Sequence, residues 1–578
     1  MSYAYAPGGQ VTSETSVAGT TCYTLDAADR VASIESCGGQ FDFTYSTNNG
    51  LVEMMTCTNT GVRRRYTHDV VDQVTAVVWE DASGTVLQSF DYSYDAARRI
   101  VGLQREDGGA AVYTYDTLDR LLSETQINPG GTTVFEELVS WDLAGNPSSK
   151  RRDGIDVDFS LGDGNRLAGW SVATTGLYVQ CDVLGHADEP IGTGERYGEL
   201  WVSNRVAQTP TVAGTNFAAY GVAVGLGTQD IVAAVCDVAG NTTRATNTVY
   251  MTIVTNASYS HSAAGCVTSV VYTGCQYTRE AALQWDDRYR LTDVRTNGIA
   301  AETYGYDPFS RLSRVRSAAS TNWIVWSGMH PVAEVDAAGG LSKSYCWGPG
   351  IDNLLSYTTY SETSTNTYYA LTDIRGTVHA VADGDGAIVE RYRYSAWGRV
   401  LGVYDRNGLA LRRSAVGNVH LWHGRRYSWT TRLYYFRNRW YDPVTMRWLS
   451  KDPIGISGGL NQYQAFGGNP VNFRDVWGLC EDGGPPQYRD GEKYLRDYEK
   501  DLRRDWHKLW PWNIYQWSMG GDRDPALRYP NQRWALRHNT LLESDSLGNA
   551  GPAYAYTKLY GPAVGPEVAM TICLGAEA

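Results

Sequence analysis

The feature that most constrains this 578-residue chain is a short pattern that returns along its first three hundred residues. An aromatic, a variable residue and a second aromatic or aliphatic lead into an Asp. Two or three small residues, then an Asn, Asp or Arg, then an Arg-Leu-like pair follow. The clearest copies are Tyr113-Thr-Tyr-Asp-Thr-Leu-Asp-Arg-Leu121 and Tyr304-Gly-Tyr-Asp-Pro-Phe-Ser-Arg-Leu312. Weaker copies start at Tyr23, Tyr66 and Tyr92, and Trp141-Asp-Leu-Ala-Gly-Asn146 and Trp285-Asp-Asp-Arg-Tyr-Arg-Leu291 are degenerate ones. The repeated Asp falls at 69, 95, 116, 142 and 163, in steps of 26, 21, 26 and 21 residues.

Each copy reads as strand, turn, strand. Tyr-x-Tyr puts two aromatics on one face with the two-residue period of a strand. The Asp opens a turn by bonding the backbone two residues on. A lone hairpin is unstable in water, so neighbours must pair edge to edge into one long sheet. The repeated Tyr and Asp are therefore packing and turn residues. Composition agrees: 61 Gly, 40 Tyr and 19 Trp with only 20% charged residues suit many short strands and exclude a coiled coil, a collagen and a disordered chain.

A net charge of −13 argues against a phosphate-backbone binder. No run of about 18 apolar residues exists, so no transmembrane helix is expected. The start, Met1-Ser-Tyr-Ala-Tyr-Ala-Pro7, has neither a basic nor an apolar signal region. The expectation is a chain that stays inside until delivered, that leaves by another route, or that is one piece of a longer protein. The ten Cys include no CxxC pair, so a zinc ribbon or thioredoxin-type site is unsupported; no metal or other cofactor is expected. Cys266 and Cys275 are spaced to pair across a hairpin, although a free buried thiol is the commoner fate.

Beyond residue 320 a different order of motifs begins. It includes Ser344-Tyr-Cys-Trp-Gly-Pro-Gly-Ile-Asp352, Tyr368-Tyr-Ala-Leu-Thr-Asp373 and Gly424-Arg-Arg-Tyr427. Leu433-Tyr-Tyr-Phe-Arg-Asn-Arg-Trp-Tyr-Asp-Pro443, Arg447-Trp-Leu-Ser-Lys-Asp-Pro-Ile-Gly455, Gly468-Asn-Pro-Val-Asn472 and Asp475-Val-Trp-Gly-Leu479 follow. This order resembles the Rhs repeat-associated core of the YD-repeat (Rhs) family, and with the repeats the resemblance covers roughly residues 1–479. It implies a mainly β fold in which hairpins wind into a spiral, hollow β-shell. The shell encloses its own C-terminal polypeptide, commonly a toxin, and the core block closes one end.

The resemblance also implies self-cleavage by an aspartyl-protease-like pair. Asp452 matches the first acid and Asp475 the second, with Leu479–Cys480 as the scissile bond. Two close carboxylates share one proton, so one can activate water while the other polarises the carbonyl. Lys451 and Arg474 precede the two acids and are the cations expected to position them. Three departures from the family pattern stand out: Val476 replaces a Pro, and Arg432 and Met446 each replace a Gly. Losing the Pro frees a φ angle, so both a cleaving chain and a degenerate, non-cleaving copy remain open. Apart from the motif order, Asp452 and Asp475 read as ordinary turn residues.

The expected organisation is a repeat shell over 1–185, an immunoglobulin-like β insert over 186–260, further repeats over 261–320, the core over 321–479 and a variable tail over 480–578. The insert rests on short alternating strands with polar turns. The tail starts at Cys480 with a Gly-Gly-Pro-Pro breaker and then turns helical, with Tyr494, Leu495, Tyr498, Leu502, Trp506 and Leu509 on one face. His507 and His538 with neighbouring Arg would suit a nuclease, but equally a solvated basic helix. The implied partners are the tail itself as cargo, a delivery protein and an immunity protein. The competing reading is a non-enzymatic surface scaffold that binds glycans or partners.

Overall fold

In the computed structural model, thirty strands, from Ser2–Tyr5 to Val400–Asp405, join in one antiparallel sheet. The structure describes residues 1–479 except 153–154, 162–165, 173–177, 187–197, 203–204, 209–210, 214–215, 226, 237–238, 240–241, 252–253 and 275–276. Within the sheet every strand pairs with its neighbours in chain order, with one exception. Leu167–Val172 pairs directly with Val254–His261. The strands between them form two small sheets of three and four strands. Among the described residues every regular element is a strand or a short 3-10 turn, and no helix is long and apolar enough to cross a membrane. The helices expected in the tail lie outside the described residues.

The repeat works as a chain of interlocking staples. In the turn at Asp116, Oδ1 accepts the N–H groups of Leu118 and Arg120, both at 2.9 Å, and Oδ2 takes the Arg120 guanidinium at 2.6 Å. The same pairs form at Asp26/Arg30, Asp95/Arg99, Asp286/Arg290 and Asp307/Arg311. Each Arg also lies over the aromatic that ends the next copy: Arg99 over Tyr115 at 4.9 Å, Arg120 over Trp141 at 5.5 Å, Arg290 over Tyr306 at 4.6 Å. That aromatic points its ring tip back at the carbonyl after the same Arg. Tyr115 Oη donates to Ile100 O at 2.5 Å, Trp141 Nε1 to Leu121 O at 2.9 Å and Tyr306 Oη to Leu291 O at 2.7 Å.

This geometry explains why Trp substitutes for Tyr. Both rings carry a donor at the tip, so Trp141 and Trp285, the latter bonding Val267 O at 2.6 Å, act as complete copies. The residue three after each Asp adopts a left-handed backbone, with φ of 61° at Asp29, 64° at Asp119 and 78° at Gly145. That conformation accounts for the Asp and Gly found there.

The long sheet winds so that its early strands meet its late ones. Tyr3 Oη bonds Ser327 Oγ at 3.1 Å, Trp79 Nε1 donates to Thr372 O at 2.9 Å, and Glu124 accepts the Ala396 N–H at 2.6 Å. One apolar cluster accordingly joins residues 34–139 to 346–397, and a second joins 157–324 to 433–449. The closing block contributes a four-stranded sheet, Arg426–Tyr427, Tyr434–Phe436, Arg439–Asp442 and Arg447–Trp448. Its alternate side chains serve different cores: Tyr435 and Trp440 face the second, while Tyr434, Phe436 and Tyr441 belong to a third with Trp422 and Phe466. Burial on both faces is why this stretch reads as an unbroken aromatic run instead of an alternating one. Cys266 is a free, buried thiol, not half of a hairpin disulfide.

Candidate functional site

The fold brings Asp452 and Asp475, 23 residues apart in sequence, to opposite sides of one guanidinium. Arg439 Nη2 lies 3.0 Å from Asp452 Oδ2 and 3.3 Å from Asp475 Oδ2. All three side chains are almost fully buried. Arg439 is held in turn by Nη1 donating to Gln462 O at 3.0 Å, by Nε donating to Gly478 O, and by the Trp448 ring beneath it at 4.4 Å.

The electrostatics follow from burial and sharing. Desolvation pushes the Asp452 carboxyl up to about 7; Arg439 and the Ile454 N–H oppose this, and the Asp475 charge adds to it. Burial also raises Asp475, against Arg439, Arg425 and the Leu479 and Gly478 N–H groups. Two buried carboxylates that share the Arg439 guanidinium leave room for one shared proton.

The segment that follows Asp475 is gripped at consecutive peptide groups. Asp475 Oδ1 accepts the N–H of Trp477 at 3.1 Å and of Leu479 at 3.0 Å. Val476 O receives Arg425 Nη2 at 2.5 Å and Arg437 Nη1 at 2.6 Å, Trp477 O receives Asn438 Nδ2 at 3.0 Å, and Gly478 O receives Arg439. The hairpin tip Arg437-Asn438-Arg439 therefore reads the carbonyls of residues 476, 477 and 478 in order.

Gly478 sits at φ 67°, and a Cβ there would lie 2.5 Å from Phe436 O, so no larger residue fits without displacing the hairpin. A Cβ at Gly458 would lie 2.5 Å from Asp452 Oδ2 and 2.6 Å from Leu479 O. Asp452 and the Leu479 carbonyl thus face the same small gap, at most about 5 Å apart. Cys480 lies outside the described residues.

Two of the expected site residues stand elsewhere. Lys451 lays its stem against Gly265, where burial and then Arg166 lower its pKa. Arg474 donates to Ile351 O at 3.2 Å. The cations that face the acid pair are Arg439 and Arg425 instead. Adjacency in sequence misled here, because a residue next to an acid on an extended chain points away from it. Arg439 was visible inside the Phe436-Arg-Asn-Arg-Trp440 motif, but only the hairpin shows that it turns inward. Arg432 and Met446 keep the left-handed backbone that the missing glycines would have favoured, at φ 61° and 60°.

No family model matches the chain. The double-stranded DNA deaminase toxin A of Burkholderia cenocepacia strain H111 is 27% identical over 223 residues, 34% of this chain and 15% of that protein. The tRNA3(Ser)-specific nuclease WapA of Bacillus spizizenii is 29% identical over 195 residues, 32% of this chain and 8% of that protein. The chain thus aligns with a small fraction of the length of these curated relatives. The solved Photorhabdus luminescens Tc holotoxin pore aligns with 82% of this chain and 24% of its own, at 16% identity and a TM-score of 0.41.

A wound antiparallel meander stapled by Tyr-Asp turns and packed against a buried core block defines a hairpin-repeat β-shell. Its Tyr-Asp repeats and its ordered core motifs resemble those of the YD-repeat (Rhs) family and its Rhs repeat-associated core.

Proposed function

We propose that this chain is the shell of a polymorphic toxin: it encloses its C-terminal polypeptide and cuts itself after Leu479 to free it. The observation that carries the reading is the acid pair on Arg439, with Asp452 facing the Leu479 carbonyl and Asp475 accepting the Leu479 N–H. The named relatives, a deaminase toxin and a tRNA nuclease, support a toxin role for the whole protein. The tail of 480–578 is the cargo on this reading, with a delivery protein and an immunity protein as partners.

The chemistry follows from the geometry. Asp475 accepts two N–H groups and also faces Arg425, so it is the ionised member. Asp452, beside Leu479 O, carries the shared proton. Asp475 takes a proton from water as the water oxygen attacks the Leu479 carbonyl carbon. Asp452 donates its proton to the carbonyl oxygen. Collapse of the tetrahedral intermediate breaks the C–N bond, the Cys480 nitrogen leaves with a proton relayed through the pair, and Leu479 ends as a carboxylic acid. Val476 does not remove this arrangement: its carbonyl is fixed by two guanidinium groups, which constrain the segment where a Pro would have constrained one φ.

Intact mass of the wild type beside Asp452→Asn and Asp475→Asn tests the proposal. The expected result is a wild type split between 479 and 480 and two whole variants, with cleavage slowed at least about a thousandfold. A wild type that stays whole from pH 4 to pH 8 overturns it and leaves a non-cleaving shell or binding scaffold.

A further inference from the structure

A third buried carboxylate stands behind the cleavage segment. Asp352 lies in the turn between the strands Leu341–Trp347 and Leu354–Tyr360, 123 residues before Asp475, and only 4% of its surface is exposed. Its Oδ1 takes Arg437 Nη2 at 2.7 Å, and its Oδ2 takes Arg425 Nη2 at 3.0 Å and Arg437 Nη1 at 3.2 Å. Two of those nitrogens, Arg425 Nη2 and Arg437 Nη1, also hold the cleavage segment. Arg425 Nη2 also donates to Asp475 O at 3.0 Å and Val476 O at 2.5 Å, and Arg437 Nη1 to Val476 O at 2.6 Å. The carbonyl of the preceding residue, Ile351, receives Arg474 at 3.2 Å.

The turn itself is held rigidly. Asp352 adopts φ 62°, its N–H donates to His330 Nε2 at 3.1 Å, and its carbonyl is crowded by Gly376 and Gly424, both with positive φ. His330 is stacked on Trp347, with ring centroids 4.8 Å apart. A chain of fixed contacts therefore runs from the 348–353 turn through two arginines to the backbone of residues 475–476.

We infer that Asp352 is a positioning residue for the self-cleavage reaction: it fixes Arg425 and Arg437, and through them the register of the cleavage segment against the acid pair. This rests on the cleavage reading above. Asp352 touches neither the scissile bond nor the two acids. Its charge also matters. Asp475 faces Arg425, Arg439 and Asp452, whereas Asp352 faces Arg425, Arg437, Arg474 and His330. Removing the negative charge of Asp352 leaves Arg425, which faces Asp475, without its paired carboxylate, and this favours the ionised form of the acid pair.

Asp352→Asn tests this in the full chain, since Asn tolerates the left-handed backbone. Three readouts are taken: cleavage rate against pH, thermal unfolding, and amide exchange at Trp477 and Leu479 in an Asp452→Asn background. The expected result is cleavage slowed at least about tenfold, with its alkaline limb moved about one unit to lower pH, and faster exchange at 477 and 479. Unchanged rate and pH profile in a chain that cleaves overturn the inference, as does a slowed rate with an unmoved limb and a large drop in melting temperature, which is mere destabilisation. If the wild type does not cleave, the cleavage reading fails first. The exchange readout then decides the positioning contact alone: unchanged protection at 477 and 479 overturns it.

Discussion

The Asp of a repeat turn and the Asp of the closing block are the same side chain with opposite fates. Asp116 accepts two N–H groups and its own Arg120, lies near the surface, and has a lowered pKa despite some desolvation. Asp26 and Asp95 behave alike. Asp452 accepts one N–H, shares Arg439 with a second acid and is buried, so its pKa rises to about 7. An arginine near the surface makes a staple that stays ionised, even where, like Arg99, it also pairs with a second acid, Asp119, at 3.0 Å. A shared arginine in the interior makes a pair that holds a proton. The difference in proton affinity comes from burial and from a neighbouring buried acid, not from residue type.

The largest way to break that contrast is to remove the shared cation. Arg439→Gln leaves two buried carboxylates without their guanidinium and frees the Gly478 carbonyl. Loss of one partner of a buried ion pair costs about 3–5 kcal/mol. The expected outcome is a strongly lowered urea midpoint and no fragment by mass. Arg120→Gln, the matching change in a repeat turn, removes a partly exposed pair and should leave cleavage unaltered. Equal effects of the two substitutions would show that the closing block is no more than another set of turns.

The contrast also sets the sign of two pH dependences. A raised folded-state pKa stabilises most below the unfolded value near 4 and less as pH climbs to about 7, so burying Asp452 costs stability across that window. The full span is bounded by about 4 kcal/mol. Asp116 runs the other way: its lowered pKa helps above pH 4, and the help is lost as acid protonates it. Unfolding midpoints measured from pH 3 to pH 8 should therefore flatten between 4 and 7 in Asp452→Asn and only below 4 in Asp116→Asn. A slope between 4 and 7 that survives Asp452→Asn would assign it to another buried acid, with Glu124, raised to about 7 by burial, the first to examine.

The two regions were unequally legible in the sequence. The repeat is local: Asp116, Arg120 and Tyr115 are neighbours in the chain, so spacing alone exposes strand, turn and sheet. What spacing hid was the ring-tip bond to the previous copy, which is why Trp141 and Trp285 looked degenerate. In the closing block the motif order pointed to Asp452, Asp475 and Leu479, and the fold does bring them together. The cations were not legible. Lys451 and Arg474 adjoin the acids in sequence and turn elsewhere, while Arg439 and Arg425 arrive from 13 and 50 residues away on hairpins. Long-range contacts between chain-distant side chains leave no periodic trace.

The smallest test probes the turn itself. Most copies place Asp or Gly three residues after the turn Asp, but the copies at Asp95, Asp286 and Asp307 have Arg98, Tyr289 and Ser310 there, at φ 64°, 59° and 63°. Arg98 is exposed, and the turn is closed by backbone bonds, Asp95 N to Arg99 O and Arg98 N to Asp95 O, both at 2.9 Å. A side chain in that left-handed conformation costs about 1 kcal/mol, which glycine avoids. Arg98→Gly gives some of this back through the looser unfolded chain. The expected net is a stabilisation of about 0.5 kcal/mol, seen as a small rise in urea midpoint with unchanged cleavage. Destabilisation instead would mean that the Arg98 side chain stiffens the staple, and the repeat would then depend on its second arginine as well as its first.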